Sequence, residues 1–227
     1  MREENENEEL TEQQKEREYR SNYLFYCFLA LLLLAVIGFR VYWNKNVGGV
    51  VVDGNSMCQT LYSGEKLLML RKTSGMERGD IIVVDVQHYD EIKAENAGKP
   101  ESAQVQYLIK RLIAVEGDKV KCEDGQVYLW EAGTSGYVPL DEPYAYYVNA
   151  EKKAEYDFGE YVVGEGEIFF LGDNRCNSLD SRFNESGSHL NRLYKASDVW
   201  GIVPEWAVEN QAILEKIFFG FNGCGKK

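Results

Sequence analysis

The stretch Arg78-Gly79-Asp80-Ile81-Ile82-Val83-Val84 joins a tight turn to a run of β-branched residues. Such runs pack well on a pleated sheet, and Gly and Asp are typical of the turn that precedes a strand. The same arrangement recurs from residue 50 to residue 171, without a competing helical period. The runs predicted as strands are 50–52, 66–70, 80–86, 105–115, 119–122, 126–130, 160–163 and 167–171. Asp124-Gly125 between two of them indicates a hairpin, and the whole pattern predicts an all-β body of antiparallel sheets, closed or nearly closed.

Several stretches depart from this pattern inside the body, which is predicted to span residues 48–205. Residues 118–166 are rich in Tyr and have fewer strands and longer loops, which indicates an inserted subdomain. Residues 87–104 and 183–197 are polar and are predicted to be inserted loops. In the tail, 206–227, apolar side chains recur at roughly helical spacing as far as Phe221. That spacing predicts a helix, which either packs on the body or lies at a membrane interface.

The amino-terminal part divides into an acidic and an apolar stretch. Residues 1–20 carry eight Glu and four Lys or Arg, so residues 1–22 are predicted to form a disordered tail. Residues 23–43 contain a single charged side chain, Arg40. At ~1.5 Å per residue they would span roughly 31 Å, the thickness of a bilayer core. Tyr and Trp near both ends resemble an interfacial belt, and the acidic start argues against a cleaved signal peptide.

The predicted anchor is flanked by slightly more positive charge on its amino-terminal side. Lys15, Arg17 and Arg20 precede the apolar stretch, and Arg40 and Lys45 lie at or beyond its end. Because cytoplasmic flanks carry an excess of Lys and Arg, this favours a cytoplasmic amino terminus. We therefore expect a single-pass cell-membrane protein whose body lies outside the cytoplasm.

Charge and composition exclude several other classes of protein. The net charge of −12 argues against a nucleic-acid partner, which would require a basic face. With two histidines and no C-x-x-C spacing, the sequence predicts neither a metal site nor a cofactor. Four of the five cysteines lie outside the apolar stretch and permit disulfides whose pairing the sequence does not determine: Cys58, Cys122, Cys176 and Cys224.

Ser56 and Lys110 are candidates for a catalytic pair. Ser56 follows the run Val50-Val51-Val52 and a Gly, and Lys110 lies in the apolar context Leu108-Ile109-Lys110-Arg111-Leu112. A serine hydroxyl is a weak nucleophile until a neighbouring base takes its proton. A lysine can be that base only if burial lowers its pKa, since desolvation disfavours the ammonium form. The apolar flanks of both residues are compatible with such a site.

A dense polar block follows the last predicted core strand. It reads Gly172-Asp173-Asn174-Arg175-Cys176-Asn177-Ser178-Leu179-Asp180-Ser181-Arg182. A solvated loop does not require so many short hydrogen-bonding side chains together with two Arg. Asp180 and Arg182 could form a bidentate ion pair, and Ser178 could hydrogen-bond a neutral lysine amine.

Taken in order, four blocks resemble those of the bacterial type I signal peptidases of the short, single-anchor kind. They are Gly54-x-Ser56-Met57 with Thr60-Leu61, Arg78-Gly79-Asp80, Lys110-Arg111 with Gly117-Asp118, and the block 172–182. The resemblance covers roughly residues 23–203. It implies a membrane-bound serine endopeptidase with a Ser/Lys dyad and a two-part β fold, in which residues 118–166 form a cap.

The resemblance also implies roles for individual residues. Ser56 would be the nucleophile, Lys110 the general base, and the Ser56 N–H one donor of the oxyanion hole. Some relatives add a serine hydroxyl two residues earlier, where this chain has Gly54, which leaves the second donor in doubt. The residues expected to support the site are Ser178, Asp180, Arg182, Asp173 and Arg175. The residues expected to line shallow substrate pockets are Val52, Met57, Leu61, Leu108 and Ile109.

The expected substrates are secretory preproteins with A-x-A-like signal peptides, cut after small residues at −3 and −1 (numbered back from the cleaved bond). An extended substrate would add as a strand beside residues 50–54. Two alternatives remain at this point. A self-cleaving repressor of the same clan would carry a DNA-binding domain in place of an anchor, and a membrane-anchored binding module would have lost the Ser/Lys pair.

Overall fold

The computed structural model describes residues 2–71, 73–182 and 193–219. It divides into two units, Met1–Asn46 and Val47–Lys227. The first unit is helix α1 (Arg2–Asn46), and the second is the β-rich body.

Helix α1 contains a stretch, Tyr19–Asn46, that is long and apolar enough to cross a membrane, and none of its most apolar window is buried inside the protein. Leu and aromatic side chains along it are exposed, so the helix requires an apolar environment that its own unit does not supply. The prediction of a disordered tail at residues 1–22 is contradicted, because α1 begins at Arg2. Glu, Gln, Lys and Arg are good helix formers, and extending an existing helix avoids the cost of nucleation.

Eleven strands of the body form two sheets in the part of the chain that is described. The strands are β1 (Val47–Val51), β2 (Lys66–Leu70), β3 (Ile81–Asp85), β4 (Tyr107–Val115), β5 (Lys119–Glu123), β6 (Gln126–Trp130), β7 (Val138–Pro139), β8 (Phe158–Val162), β9 (Glu167–Leu171), β10 (Tyr194–Lys195) and β11 (Val199–Val203). A seven-stranded sheet has the order β1-β2-β11-β3-β4-β9-β10, and a four-stranded sheet has the order β7-β6-β5-β8. All pairings between these strands are antiparallel, so the predicted all-β antiparallel fold is confirmed.

Strand β11 was not predicted from the sequence, although it lies in the interior of the seven-stranded sheet. It lies between β2 and β3, where Ile202 is opposite Leu70 and Ile82. Its sequence is short, contains Gly201 and is followed by Pro204, which weakens a strand signal read locally. Pairing on both sides outweighs that weak propensity, because strand stability depends on cross-strand neighbours.

Both predicted loops contain regular structure. The stretch 87–104 holds helix α2 (Asp90–Asn96) and a 3₁₀ turn, Glu101–Ala103. It is anchored because Tyr89 and Ile92, one helical turn apart, are buried in the core. Within 183–197, Tyr194–Lys195 forms β10 against β9, and Tyr194 is buried. Residues 183–192 lie outside the described chain.

The predicted carboxy-terminal helix is present as three short pieces. They are α3 (Glu205–Glu209), α4 (Gln211–Leu214) and one π-helical turn, Glu215–Phe219. Ala207 is buried and the Phe219 ring packs against Gly49, whereas Ile213 and Ile217 are exposed. These pieces therefore touch the body and still leave apolar side chains in solvent, so both predicted roles remain open. Residues 220–227 lie outside the described chain.

The two sheets share an apolar core. One cluster of buried side chains joins the end of β4 and β9 to the four-stranded sheet: Ile113, Ala114, Val120, Cys122, Val127, Leu129, Phe158, Val163, Phe169 and Leu171. The four-stranded sheet uses residues within 118–166, the stretch expected to form a cap, and the domain boundaries themselves stay a prediction. Among the described cysteines, Cys58, Cys122 and Cys176 are free, while Cys224 lies outside the described chain. Burial, followed by a hydrogen bond to Asp157, raises the pKa of the Cys122 thiol to about 12, so this thiol is inert.

Arg78 and Asp118 connect the turn before β3 to the start of the four-stranded sheet. Arg78 Nε and Nη2 each donate to a different Asp118 carboxylate oxygen at 2.8 Å. The same carboxylate accepts the backbone N–H groups of Val115 at 2.9 Å and Ala132 at 3.1 Å. Asp118 is fully buried, so all these bonds depend on one side chain.

We expect Asp118→Ala to destabilise the fold by about 2 to 3 kcal/mol, because it leaves backbone donors and a guanidinium without their acceptor. Thermal unfolding of the purified body, followed by circular dichroism, measures the effect. Asp141→Ala removes an equal charge from an exposed residue and should change the stability by less than about 0.5 kcal/mol. Equal melting temperatures for the two variants would contradict the structural role of Asp118.

Candidate active site

Ser56 lies in the turn that follows β1. Gly54 in this turn has φ of 83°, a left-handed conformation that glycine adopts at no steric cost. The turn is closed by a bond from the Gly64 N–H to the Val52 carbonyl at 2.8 Å, and the Asn174 N–H donates to the Ser56 carbonyl at 3.0 Å. The backbone of Ser56 is therefore held by the polar block 172–182.

Lys110 points from β4 to the hydroxyl of Ser56. Its Nζ lies 2.7 Å from Ser56 Oγ and also donates to the Ile109 carbonyl at 2.9 Å. Only 2% of Lys110 is exposed, and its neighbours Leu108 and Leu112 are buried. The structure thus brings together the two residues that the sequence singled out, 54 positions apart in the chain.

Burial lowers the pKa of Lys110 to about 8, although the charges of Asp180 and Asp173 raise it. A lysine with this pKa is half neutral near pH 8. The neutral amine has a lone pair that can accept the Ser56 proton, which an ordinary surface lysine offers only in strongly alkaline solution.

Asp180 and Arg182 form a buried bidentate pair. Arg182 Nε donates to Asp180 Oδ1 at 3.0 Å and Nη2 to Oδ2 at 2.9 Å. The Gly172 N–H also donates to Oδ2, at 3.0 Å. Burial by itself raises the pKa of Asp180, but the charge and hydrogen bonds of Arg182 outweigh it, so the pKa lies below its usual value.

Asp173, which is fully buried, forms a second pair, with the half-buried Arg111 on β4. Arg111 Nε and Nη2 donate to the two carboxylate oxygens at 2.8 and 2.7 Å, and Thr60 Oγ1 donates to Oδ2 at 2.5 Å. The Arg111 guanidinium lies 3.9 Å from the centre of the Tyr144 ring. Asp173 thus ties the polar block to β4 and to the segment that follows Ser56.

Arg175 forms a third pair, with Glu142, a residue that the sequence analysis did not identify. Its Nη1 and Nη2 donate to the two Glu142 oxygens at 3.0 and 2.6 Å, and Nε donates to the Gly172 carbonyl at 3.1 Å. Burial lowers the pKa of Arg175, but Glu142 raises it by more, so Arg175 stays charged.

Glu142 belongs to a segment, residues 142–147, that crosses the polar block. In this segment, which we call the strap, the Tyr146 N–H donates to the Asp173 carbonyl at 2.7 Å and the Tyr146 carbonyl accepts from the Arg175 N–H at 2.9 Å. The strap follows β7 within the Tyr-rich stretch. Its only sequence signal was an acidic residue before Pro143-Tyr144, which is too common to single out.

The hydroxyl of Ser178 is buried beside the site but does not form the expected hydrogen bond with Lys110. This hydroxyl lies near the Asp180 carboxylate, whose pKa it helps to lower. Within the described chain, however, Ser178 Oγ has no hydrogen-bond partner in favourable geometry. A side chain at Gly172 would collide with Ser178 and would stand 2.6 Å from the Ser56 carbonyl oxygen, so only glycine fits there.

A cleft of about 670 Å³ runs along the Ser56–Lys110 pair. Four of the residues expected to line substrate pockets do line it: Val52, Met57, Leu108 and Ile109. Leu61 is 1% exposed and is absent from the lining, and its contact with substrate stays a prediction.

The resemblance assigns the Ser56 N–H to an oxyanion hole and leaves the second donor open. Among the described residues, no acceptor binds the Ser56 N–H. Gly54 provides no hydroxyl, and its own N–H donates to Ser63 Oγ at 3.2 Å.

Comparison with known proteins places the chain in a family. The family described as "Signal peptidase, peptidase S26" matches residues 20–215. Signal peptidase I U of Bacillus subtilis is 34% identical over 164 residues, which cover 68% of this chain and 74% of that protein. Signal peptidase I of Bacillus licheniformis is 33% identical over 140 residues, which cover 58% of this chain and 64% of that protein. A crystal structure of a signal peptidase I from Enterococcus faecalis is 25% identical and covers 58% of this chain and 98% of that chain, with a TM-score of 0.36. The chain belongs to the signal peptidase family, peptidase S26, and is a hydrolase of that family.

Proposed function

We propose that this protein is a membrane-bound serine endopeptidase that removes signal peptides from exported preproteins, with Ser56 as nucleophile and Lys110 as general base. The observation that carries the proposal is the 2.7 Å contact between Lys110 Nζ and Ser56 Oγ inside a desolvated site. The membership of the family supports the substrate class. An intact pair argues against the alternative of a binding module without activity.

In the first half of the reaction, neutral Lys110 accepts the Ser56 proton as Oγ attacks the carbonyl carbon of the scissile bond. The Ser56 N–H donates to the developing oxyanion, which costs little reorganisation because the turn is already held. When the tetrahedral intermediate collapses, the Lys110 ammonium returns the proton to the leaving amine. The mature protein departs, and the signal peptide remains as an ester on Ser56.

In the second half, neutral Lys110 takes a proton from a water molecule that attacks the ester. Collapse of the second intermediate returns that proton to Ser56 Oγ and releases the signal peptide with a free carboxylate. The same amine therefore acts as base and acid in both halves.

The cleft is suited to an extended peptide. β1 is an edge strand, and β4 is paired with β9 only from Arg111 onwards, so residues 107–110 have a free edge on that side. Both edges border the cleft and can hydrogen-bond a substrate main chain by β-augmentation. The shallow apolar surface of Val52 and Ile109 suits small side chains at −1 and −3.

The supporting residues would act by holding the block 172–182 against Ser56 and Lys110. Asp180 with Arg182, and Asp173 with Arg111, keep carboxylates near Lys110 neutralised by a partner. The hydroxyl of Ser178 would orient the Lys110 amine after a side-chain rotation, since that bond is absent from the resting geometry.

The apolar helix and the relatives indicate a membrane-anchored protein. We infer that α1 crosses the membrane once, with the amino terminus in the cytoplasm and the body outside. A tethered site then meets substrates whose own apolar segment is in the same bilayer, at high effective concentration.

Ser56→Ala and Lys110→Ala should each reduce kcat/KM for a preprotein at least about a thousandfold, and the double variant should be no worse, because residues that act as one unit are non-additive. Cleavage of a prepeptide with Ala at −3 and −1 measures the effect. Ser135→Ala and Lys152→Ala, which alter exposed residues, serve as controls. Substantial cleavage by either single active-site variant would refute the dyad.

The rate should increase with pH through a midpoint at about 8, because only neutral Lys110 can accept the serine proton. The sign follows from the lowered pKa: protonation below the midpoint removes the base, and above it the rate reaches a plateau. A kcat/KM profile from pH 6 to pH 10 tests this. A flat profile would exclude Lys110 as the base.

Protease added to cells stripped of their wall should digest the body and spare the first 20 residues, if the amino terminus is cytoplasmic. Antibodies against tags at either end, with a cytoplasmic protein as marker of intact cells, report the fragments. Loss of the amino-terminal tag with survival of the body would reverse the inferred orientation.

A further inference from the structure

The cleft continues beyond Ser56 and Lys110, and its far end is formed partly by the stretch 87–104. Glu101, Ala103 and Gln104 line this end, together with Tyr107 and Trp200. The sequence predicted only an inserted loop for this stretch. In the structure its carboxy-terminal end is a wall of the same cleft.

This wall is held firmly against the sheet. The Asn96 side chain donates to the Val105 carbonyl and accepts from the Val105 N–H, both at 2.8 Å. Tyr89 and Ile92, on the same inserted stretch, are buried in the core. The Asn96 side chain thus fixes the carboxy-terminal end of residues 101–106, because it makes the two backbone hydrogen bonds that a neighbouring strand would make.

Tyr107 and Trp200 form an aromatic surface at this end. Their ring centres are 4.9 Å apart with planes inclined by 28°, and the Arg71 guanidinium lies 5.0 Å from the Trp200 ring centre. Tyr107 remains 39% exposed. Ile109 and Tyr107 are two residues apart on β4 and so lie on the same face of the sheet.

The spacing of an extended peptide assigns a substrate position to this surface. If the peptide runs parallel to β4 and its −3 residue lies beside Ile109, the −5 residue lies two residues, about 7 Å, farther along β4, level with Tyr107. Side chains at −1, −3 and −5 share one face, because a strand alternates with a period of two. The −5 side chain therefore meets Tyr107 and Trp200.

We propose that Tyr107 and Trp200 form a further subsite, which takes an apolar side chain at −5 of the substrate, and that Glu101 at its border disfavours an acidic one. This assignment rests on the proposed function and adds a specificity determinant to it. An apolar side chain gains by covering the exposed part of the aromatic surface. Glu101 is exposed and lines the cleft, so a carboxylate at −5 meets a like charge.

The test uses the full chain in detergent micelles and three prepeptides with Ala at −3 and −1 that differ at −5, where they carry Leu, Ala or Glu. Wild type should cleave the Leu peptide about three- to tenfold faster in kcat/KM than the Ala peptide. Tyr107→Ala should bring that ratio close to one, whereas Trp206→Ala, which removes an exposed aromatic outside the cleft lining, should leave it unchanged. The ratio of kcat/KM between two peptides does not depend on the fraction of folded enzyme, so a destabilised variant still reports the preference at −5.

Glu101→Gln should raise kcat/KM for the Glu peptide about two- to fivefold relative to the Ala peptide. Glu165→Gln, an equal charge change at an exposed residue outside the cleft lining, should not. A Leu/Ala ratio that survives Tyr107→Ala, or a ratio close to one already in wild type, would overturn the subsite while cleavage itself persists. Absence of cleavage of all three peptides by wild type would instead overturn the proposed function and the subsite with it.

Discussion

The desolvation of the Lys110 amine is the constraint on which the rest of the site depends. Moving an ammonium from water into a protein interior costs several kcal/mol, so a buried lysine tends towards its neutral form. A nearby carboxylate without a partner would restore the charged form. Asp180 and Asp173, whose charges do raise the pKa of Lys110, are each held in a bidentate pair with an arginine. Because each carboxylate is paired with an arginine, burial remains the dominant effect on the pKa of Lys110. Part of the amine is therefore neutral, and able to accept a proton, near neutral pH.

A third ion pair, between Glu142 and Arg175, connects the strap to Ser56. Glu142 in the strap binds Arg175, Arg175 binds the Gly172 carbonyl, and the neighbouring Asn174 N–H binds the Ser56 carbonyl. Buried pairs of this kind add little net stability compared with apolar residues. Removing one partner is nevertheless costly, because the other charge stays buried with nothing to offset its desolvation. Their value here is geometric, because they fix the backbone of Ser56 relative to a lysine on a distant strand.

The cleft lies where β1 and the first part of β4 have no neighbouring strand on one side. β1 has one neighbour, and β4 changes partner at Arg111, pairing with β3 before it and with β9 after it. A free sheet edge is normally a liability, because it invites aggregation. Here the edge of β4 lies between the Ser56–Lys110 pair and a wall supplied by the inserted stretch, an arrangement suited to one extended chain. Asn96 completes that wall by hydrogen-bonding the backbone N–H and carbonyl of Val105, which has no neighbouring strand at that point.

The sequence by itself was enough to determine the all-β class, most of the strands, the apolar amino-terminal helix and the identity of the Ser56 and Lys110 candidates. These features depend on local composition and on short blocks, where periodicity and turn chemistry are informative. Strand β11, the Glu142–Arg175 pair and the missing contact of Ser178 were decided by the tertiary structure. A weak strand such as 199–203 is stabilised only by its neighbours, and a glutamate such as Glu142 becomes buried only when the strap crosses the polar block. The lowered pKa of Lys110 belongs to the same group, because it arises from packing between residues that are distant in sequence and close only in the folded chain.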